Sequence, residues 1–571
     1  MPSEIFNDQF DVIVIGAGIN GAGIARDAAM RGLKVLLLDK GDIGSGTSSW
    51  STRLIHGGLR YLEYGELGLV RESLRERECL MKIAPHLVRP LRILVPMYKH
   101  GQRGVWKIRA GMIAYDVLSL GKSLPHHRML TVSETLQQAP GLNRKDLLGA
   151  AVYFDAQVEY AERLVLENAL SAVEHGATVI TYARVDKFQI QDGKVCGVEF
   201  TRLQSPPSNV QRLNSGVQDE MSRGEEGGLA PALTPTPQGS SPIIREGSDV
   251  EHHSASAPIV INAAGPWIDQ VLGANGQDSS RRIGGTKGSH LIVAPFGGAP
   301  ENTIYVEAET DRRPFFIIPW NGNYLIGTTD IRYDADPDHV RIEAEEIEYL
   351  LRETNRVIPN AQLTRAQILY TYSGVRPLPF VTEKDEQSIT RKHFIRASQH
   401  LDNLFSIVGG KLTTYRSLAE ETVDLIFKRL GRSKPACTTI QAALPGAVAR
   451  RRAAGLCELP EATSHRLARI YGTRSSEVAQ LISDDPSLNK VFDQETGAIA
   501  AEVVFAFKHE LAQTLSDCLL RRTMVGLNST CGLKAVDAAA SIAQKHLGWS
   551  ASRVAQETGA YRMEISGRFR R

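Results

Sequence analysis

The six cysteines of this sequence, Cys79, Cys196, Cys437, Cys457, Cys518 and Cys531, show no CxxC spacing. That excludes a metal knuckle of the usual kind and a dense disulfide framework, so a reducing compartment is expected. No uncharged apolar run approaches the roughly 20 residues of a spanning helix, and any membrane contact should be peripheral. Charge of one sign is lacking too: 66 Lys and Arg against 64 Asp and Glu leave a net +2. No overall field draws such a chain to nucleic acid. Met1 to Gln9 holds neither an apolar run nor a basic leader, so no signal peptide is expected. What remains is globular in character: 571 residues, 42% hydrophobic and 23% charged, enough for two or three domains with ample core.

The first ordered text is a dinucleotide fingerprint. Phe10 to Ile15 reads as a short buried strand, Gly16-Ala17-Gly18-Ile19-Asn20-Gly21 as a turn, and Ala22 to Arg31 as the helix that the turn opens. Gly16 permits the tight turn, Gly18 lets the backbone approach a pyrophosphate, and Gly21 allows close packing of helix on strand. Free amides and the helix dipole at that N-terminus favour an anion. A second strand, Lys34 to Leu38, ends at Asp39, followed by Lys40, where a carboxylate can accept ribose hydroxyls.

No second GxGxxG follows, which separates the chain from flavoproteins that also bind a nicotinamide. A nicotinamide enzyme with one site stays open on the fingerprint alone. Three later elements favour FAD. Thr47-Ser48-Ser49-Trp50-Ser51-Thr52 runs at the right distance to pass beneath a flavin and continues through His56-Gly57-Gly58 to Arg60-Tyr61. Val260 to Ala263 reads as a strand ending in the small-residue turn Ala264-Gly265. Gly409-Gly410-Lys411-Leu412-Thr413-Thr414 opens another helix with two glycines and two hydroxyls, a seat for the polar edge of the ring.

With these motifs in place, the chain resembles the FAD-dependent glycerol-3-phosphate dehydrogenases. The resemblance runs through INGAGIARDAAMRGL, TSSWSTRLIHGGLRYLE, KGSHLIV, IGTTD, TYSGVRPL, SITR and GGKLTTYR, and Leu519 to Thr523 resembles the family's helical cap. Amine and amino-acid oxidases share the FAD fold with other substrate residues. The resemblance implies an α/β protein: a discontinuous Rossmann-like FAD-binding domain, a mainly antiparallel substrate domain and a C-terminal helical domain.

The text supports that division. Residues 10–90, 155–275 and 395–430 are expected to form the FAD domain, 91–154 and 276–394 the substrate domain, and 431–571 the helical domain. Residues 204–256 hold 6 Pro, 9 Ser and 6 Gly with no aromatic, and are expected to be a flexible, solvated insertion. Helices are expected over Glu66 to Ile83, Leu164 to Glu174 and Glu343 to Arg356, and strands over Thr178 to Tyr182, Ser289 to Val293, Phe315 to Pro319 and Tyr324 to Thr328. Val504, Phe507, Leu511, Leu515 and Cys518 recur at helical spacing as one apolar stripe. No EF-hand pattern occurs there, so calcium control is not implied.

Oxidising a secondary alcohol that bears a phosphate requires a base for the hydroxyl proton, a fixed hydride path and cations for the phosphate. His290, an imidazole titrating near neutral pH, is the first choice of base and His56 the alternative. The resemblance places Arg60, Tyr61, Arg376, Arg391 and Lys411 at the substrate, with Arg376 near the reacting carbon and Arg391 nearer the phosphate. Planar guanidinium donors suit phosphate. Lys411 could hold substrate oxygen or balance charge on the reduced ring. Gly327 to Asp330 should shape the substrate domain near the flavin.

The electron acceptor is the open part. A quinone requires a membrane surface, and Arg89 to His100 with Trp106, Lys107 and Arg109 mixes cations with apolar groups as an interfacial patch would. The competing reading is a strand and loop of the substrate domain. The resulting expectation is a cytoplasmic enzyme at the inner face of the cell membrane, oxidising glycerol 3-phosphate and reducing quinone, with homodimerisation undecided. Oxygen as acceptor, an amino-acid substrate and a non-catalytic flavin-binding protein are the alternatives.

Overall fold

The strand Val12–Ile15 sits at the centre of a six-stranded sheet in the computed structural model, which describes residues 9–99, 101, 103–203, 251–273, 281–381, 390–448 and 459–569. Its four residues are all buried, as expected of a strand covered on both faces. Val35–Leu38 and Val260–Asn262 flank it in parallel, Thr178–Ile180 and Leu404–Val408 lie outside them, and the antiparallel edge is Phe394–Ala397. Strands from four distant parts of the chain therefore build one nucleotide-binding sheet. The helices Ile19–Met30, Ala161–Glu174 and Tyr415–Leu430 pack on it through a shared aliphatic core.

A second, larger sheet of mostly antiparallel strands carries the other half of the molecule. Thr286–Val293 pairs with both Asn323–Gly327 and Ile368–Arg376, and Val88–Tyr98 pairs with Leu147–Val158. One parallel pair, Thr303–Glu307 with Val88–Tyr98, joins the two groups. The amphipathic helix Ala344–Val357 covers this sheet, burying Ile347, Leu350, Leu351 and Val357.

Several sequence-based expectations change. Glu251–Ser256 is not part of a flexible insertion: it is a strand, antiparallel to Lys194–Arg202, with Ala255 buried. The rest of that segment, 204–250, lies outside the described residues, as does Cys457. Leu54–Ile55, assigned to the FAD domain, pairs with Leu147–Val158 and joins the substrate sheet, because the chain crosses here from one sheet to the other. Arg89 to Tyr98 forms most of a sheet strand with Ile93 to Met97 buried, which removes its middle from any interfacial patch.

The apolar stripe of the C-terminal domain is not one helix. Ala500–His509 stops where Leu511 takes φ +58, and Asp517–Arg522 then forms one turn of π-helix. Polar groups are paired at the break: Glu510 is fully buried and accepts Arg163 Nη1 at 2.6 Å and Arg474 Nη1 at 2.6 Å. Val504, Leu515 and Cys518 still reach one core, but from separate segments.

Candidate active site

A cavity of about 670 Å³ runs from the first glycine turn, between the two sheets, to the strands of the larger one. At its nucleotide end Gly16 has φ +103, and a Cβ there would stand 2.7 Å from the Ala263 carbonyl oxygen, so only glycine lets the two strands meet. Gly18 has a different reason. A Cβ at Gly18 would meet only Ser48 Oγ, at 3.5 Å, so the protein leaves that space open at the N-terminus of Ile19–Met30.

Polar groups around this end are placed for a dinucleotide. Asp39 accepts the Ala17 amide at 2.6 Å and the Gly41 amide at 2.7 Å, and burial raises its pKa above the ordinary value. The Ile19 amide donates to Ser48 Oγ at 3.0 Å. Asn20 donates to the Gly409 carbonyl at 3.3 Å while its own Oδ1 is buried without a partner among the described residues. The open strip over Gly18, the acid beyond it and this orphaned amide oxygen fit FAD.

Of the residues nominated for the cofactor, all but Gly21, Ser49 and Gly57 line the cavity. Those three face elsewhere. A Cβ on Gly21 would fall 1.8 Å from the Gly16 carbonyl, so its role is helix packing. Ser49 Oγ donates to the Gly44 carbonyl at 2.6 Å and holds the loop. The Gly57 amide donates to Tyr115 Oη at 2.9 Å, and Tyr115 in turn donates to Asp155 at 2.7 Å. Lys40 reaches the cavity but is paired with Asp338 at 2.7 Å and lies 4.7 Å over Trp267.

At the other end, the alternation of Thr286–Val293 puts Gly288 and His290 on one face. His290 sits opposite Tyr372 and Gly327 in the register, stacks on Tyr372 at 4.7 Å and shares a 2.9 Å hydrogen bond between its Nε2 and Thr52 Oγ1. Its Nδ1 is buried with no partner. A Cβ at Gly288 would lie 2.3 Å from Arg376 Nη2, so this glycine makes the space in which Arg376 comes alongside His290. Burial, then the Arg376 charge, holds His290 well below its ordinary pKa. Burial likewise lowers His56 to about 4. Both imidazoles are neutral at pH 7.

The arginines are organised by Asp330. Arg376 Nη1 approaches Asp330 Oδ1 at 3.0 Å and Arg391 Nη2 approaches Oδ2 at 3.1 Å, while Arg313 donates to the Asp330 main-chain oxygen. Burial opposes ionisation of Asp330, but Arg376, Arg391 and Arg313 together hold its pKa below the usual value. Among the described residues Arg391 Nη1 is buried without a partner, a donor left over for a ligand. Lys411 Nζ donates to Ser73 Oγ at 2.7 Å and lies 4.6 Å over the ring of Tyr61, and burial lowers its pKa to about 8. Arg60 and Tyr61 complete this end of the cavity wall.

Sequence reasoning missed Arg313, which precedes a strand with no motif around it, and the organising role of Asp330, which was expected only to shape the substrate domain near the flavin as part of IGTTD. It also missed Tyr372 as a cavity wall. The pairing of Thr47 Oγ1 with the Val375 carbonyl at 2.8 Å, across 328 positions, had no local signal.

Comparison with known proteins bears on this geometry. Residues 11–212 and 234–425 match the FAD dependent oxidoreductase family, and 437–554 match the C-terminal domain of alpha-glycerophosphate oxidase. A glycerol-3-phosphate dehydrogenase of Synechocystis sp. is 44% identical over 563 residues, covering 96% of this chain and 94% of its own. The chain belongs to the FAD-dependent glycerol-3-phosphate dehydrogenase family. Within this family of FAD oxidoreductases, the D-erythritol 1-phosphate dehydrogenase of Brucella abortus is 34% identical, over 91% of this chain and 95% of its own. The glycerol-3-phosphate dehydrogenase of Bacillus halodurans, solved with FAD, superposes with TM-score 0.74 at 26% identity, covering 99% of this chain and 96% of that one. The cofactor is FAD, and the cavity that opens at the glycine turn has a lining that fits it.

Proposed function

We propose that the chain oxidises sn-glycerol 3-phosphate at carbon 2 to dihydroxyacetone phosphate and passes the electrons to a membrane quinone. The observation that carries the substrate half is the surplus of cations at one end of the flavin cavity, where Arg376 and Arg391 share the one carboxylate of Asp330, with Arg313 between it and Asp311, beside a neutral imidazole. A phosphate dianion supplies the missing negative charge, with the unpartnered Arg391 Nη1 as one donor.

FAD, when bound, accepts two electrons and the carbon-2 hydrogen as hydride. The chain's own residues do the rest. His290 takes the hydroxyl proton in its neutral form, which its depressed pKa keeps available at pH 7. Arg376, held against it by the space over Gly288, stabilises the alkoxide oxygen as the proton leaves. Lys411 and Tyr61 hold the substrate's far side, and Arg60 and Arg391 hold its phosphate. His56 is the alternative base, its main-chain amide fixed by Thr413 Oγ1 at 3.1 Å.

Quinone reduction is supported by the helix Val105–Leu118 and the turn after it, which expose Trp106, Ile113, Val117 and Leu120. Lys107 and Arg109 stand among these apolar groups, a combination suited to the headgroup region of a membrane. Among the described residues no helix is long and apolar enough to cross a membrane. The match of 437–554 to an oxidase domain favours a second reading, in which oxygen is the acceptor.

Anaerobic reduction of the purified flavoprotein tests the proposal. Glycerol 3-phosphate should bleach the flavin, and a quinone should reoxidise it faster than oxygen does. Bleaching by erythritol 1-phosphate or a D-amino acid but not by glycerol 3-phosphate would refute the substrate; faster reoxidation by oxygen would refute the acceptor. His290→Ala should keep its flavin and lose about 100-fold to 10,000-fold in turnover.

A further inference from the structure

The loop that follows the second strand of the nucleotide-binding sheet, residues 39–50, is joined to the phosphate-binding turn by the Gly44 amide, which donates to the Ala17 carbonyl at 3.0 Å, and by two side chains. Asp39 accepts the Ala17 amide and Ser48 Oγ accepts the Ile19 amide, at 2.6 and 3.0 Å. Any displacement of this loop therefore moves the backbone that receives the pyrophosphate. Its own conformation, however, depends on residues nearly five hundred positions away.

Asp42, near the start of the loop, is 1% exposed. Arg522 grips it with both terminal nitrogens, at 2.7 and 2.8 Å, and Arg521 Nε reaches the same carboxylate at 2.5 Å. Both arginines come from the π-turn Asp517–Arg522, an unusual helical geometry that proteins keep mostly where it serves a purpose. The circuit closes on the loop: Arg521 Nη2 donates to Asp517 at 2.8 Å, Tyr182 Oη donates to the same oxygen at 2.6 Å, and the Tyr182 amide donates to the Gly41 carbonyl at 3.0 Å.

The other end of the loop is held separately. Trp50, a wall of the flavin cavity, meets Phe569 edge to face at 5.6 Å, with Arg568 lying 5.7 Å over its indole. Phe569 caps the last helix, Ala551–Arg568, and is buried. Arg568 itself lines the cavity. One domain thus reaches both ends of the cofactor loop, by a buried ion cluster at Asp42 and by an aromatic contact at Trp50.

We propose that the C-terminal domain is a cofactor-retention clamp: Arg521 and Arg522 at Asp42, and Phe569 at Trp50, hold the 39–50 loop in the form that binds FAD. These are positioning residues, acting through the loop. The inference rests on FAD binding and not on the identity of the substrate. Removing Arg522 leaves a buried carboxylate short of its main partner, and the loop then relieves this by moving toward water, taking Asp39 and Ser48 with it.

The test is FAD titration into the apoprotein, followed by flavin fluorescence, well below the apoprotein melting temperature. Arg522→Gln should raise the FAD Kd at least about tenfold and shorten flavin residence by a similar factor, with Arg522→Lys recovering part of the loss. The double variant Asp42→Asn/Arg522→Gln should bind FAD no worse than Arg522→Gln, because both act on one contact. Phe569→Ala, which reaches the loop through Trp50 and not through Asp42, should weaken FAD binding too, and it keeps the test usable should Arg522→Gln not fold. A lowered apoprotein melting temperature with FAD Kd unchanged within twofold in Arg522→Gln and Phe569→Ala would overturn the proposal, leaving the domain a purely structural neighbour.

Discussion

Two clusters built from the same ingredients, arginine and aspartate, have opposite characters. At Asp42 the balance closes: Arg521 and Arg522 face Asp42 and Asp517, every one of them buried. At Asp330 it does not: Arg376 and Arg391 share one carboxylate at a cavity wall, Arg313 is divided between it and Asp311, and among the described residues Arg391 Nη1 has no partner. A balanced buried cluster positions the chain and leaves nothing for a ligand. An unbalanced one beside an open cavity waits for an anion, because buried cations without counter-charge are unfavourable until one arrives.

The comparison is broken most directly at the balanced cluster. Asp42→Asn takes the counter-charge from Arg522 and leaves Arg521 only Asp517, and should cost about 3–5 kcal/mol of stability, measured by denaturant unfolding. A loss below 1 kcal/mol would mean that water already reaches the cluster. Arg391→Gln should do the reverse: it removes one of three like charges, so stability should change by less than about 1 kcal/mol, while kcat/KM for glycerol 3-phosphate falls by roughly tenfold to a hundredfold. A stability loss as large as that of Asp42→Asn would erase the distinction.

Titration sharpens it further. Burial lowers Lys411 to about 8, so the cation is present below that pH and is lost above it. The alkaline limb of kcat/KM should fall about tenfold per pH unit above 8, and Lys411→Arg should move that limb upward. Stability should respond oppositely, since between about 8 and the ordinary lysine pKa near 10.4 the unfolded chain holds the extra proton, and this group's contribution rises with pH. The smallest effect belongs to the outer surface. Trp106→Ser should weaken binding to anionic vesicles several-fold without altering flavin reduction, measured by co-sedimentation.

How much of this could be read from the chain differs by element. The glycine turn, Asp39, and the strands around His290 were legible because each is a local pattern with a period or a spacing. Ser49 and Gly57 were misjudged because a hydroxyl and a glycine inside a cofactor motif look alike whether they face the ligand or hold the loop behind it. Arg313 carried no signal, since nothing near it in the sequence distinguishes it from a surface charge. The long C-terminal stripe was read as one helix because apolar spacing says nothing of Glu510, whose pairing with Arg163 and Arg474 accompanies the break.

By itself, then, the sequence determined that this chain binds a dinucleotide and offers imidazole and guanidinium groups in motifs of one enzyme family. Those are properties of short segments, where steric needs and hydrogen-bonding choices are local. Only the tertiary structure decided which arginines are spare and which are spent, because that depends on where their carboxylate partners lie. Asp42 and Arg522 are 480 positions apart, Arg376 and Asp330 are 46, and only folding could bring the first pair into balance while leaving the second in surplus.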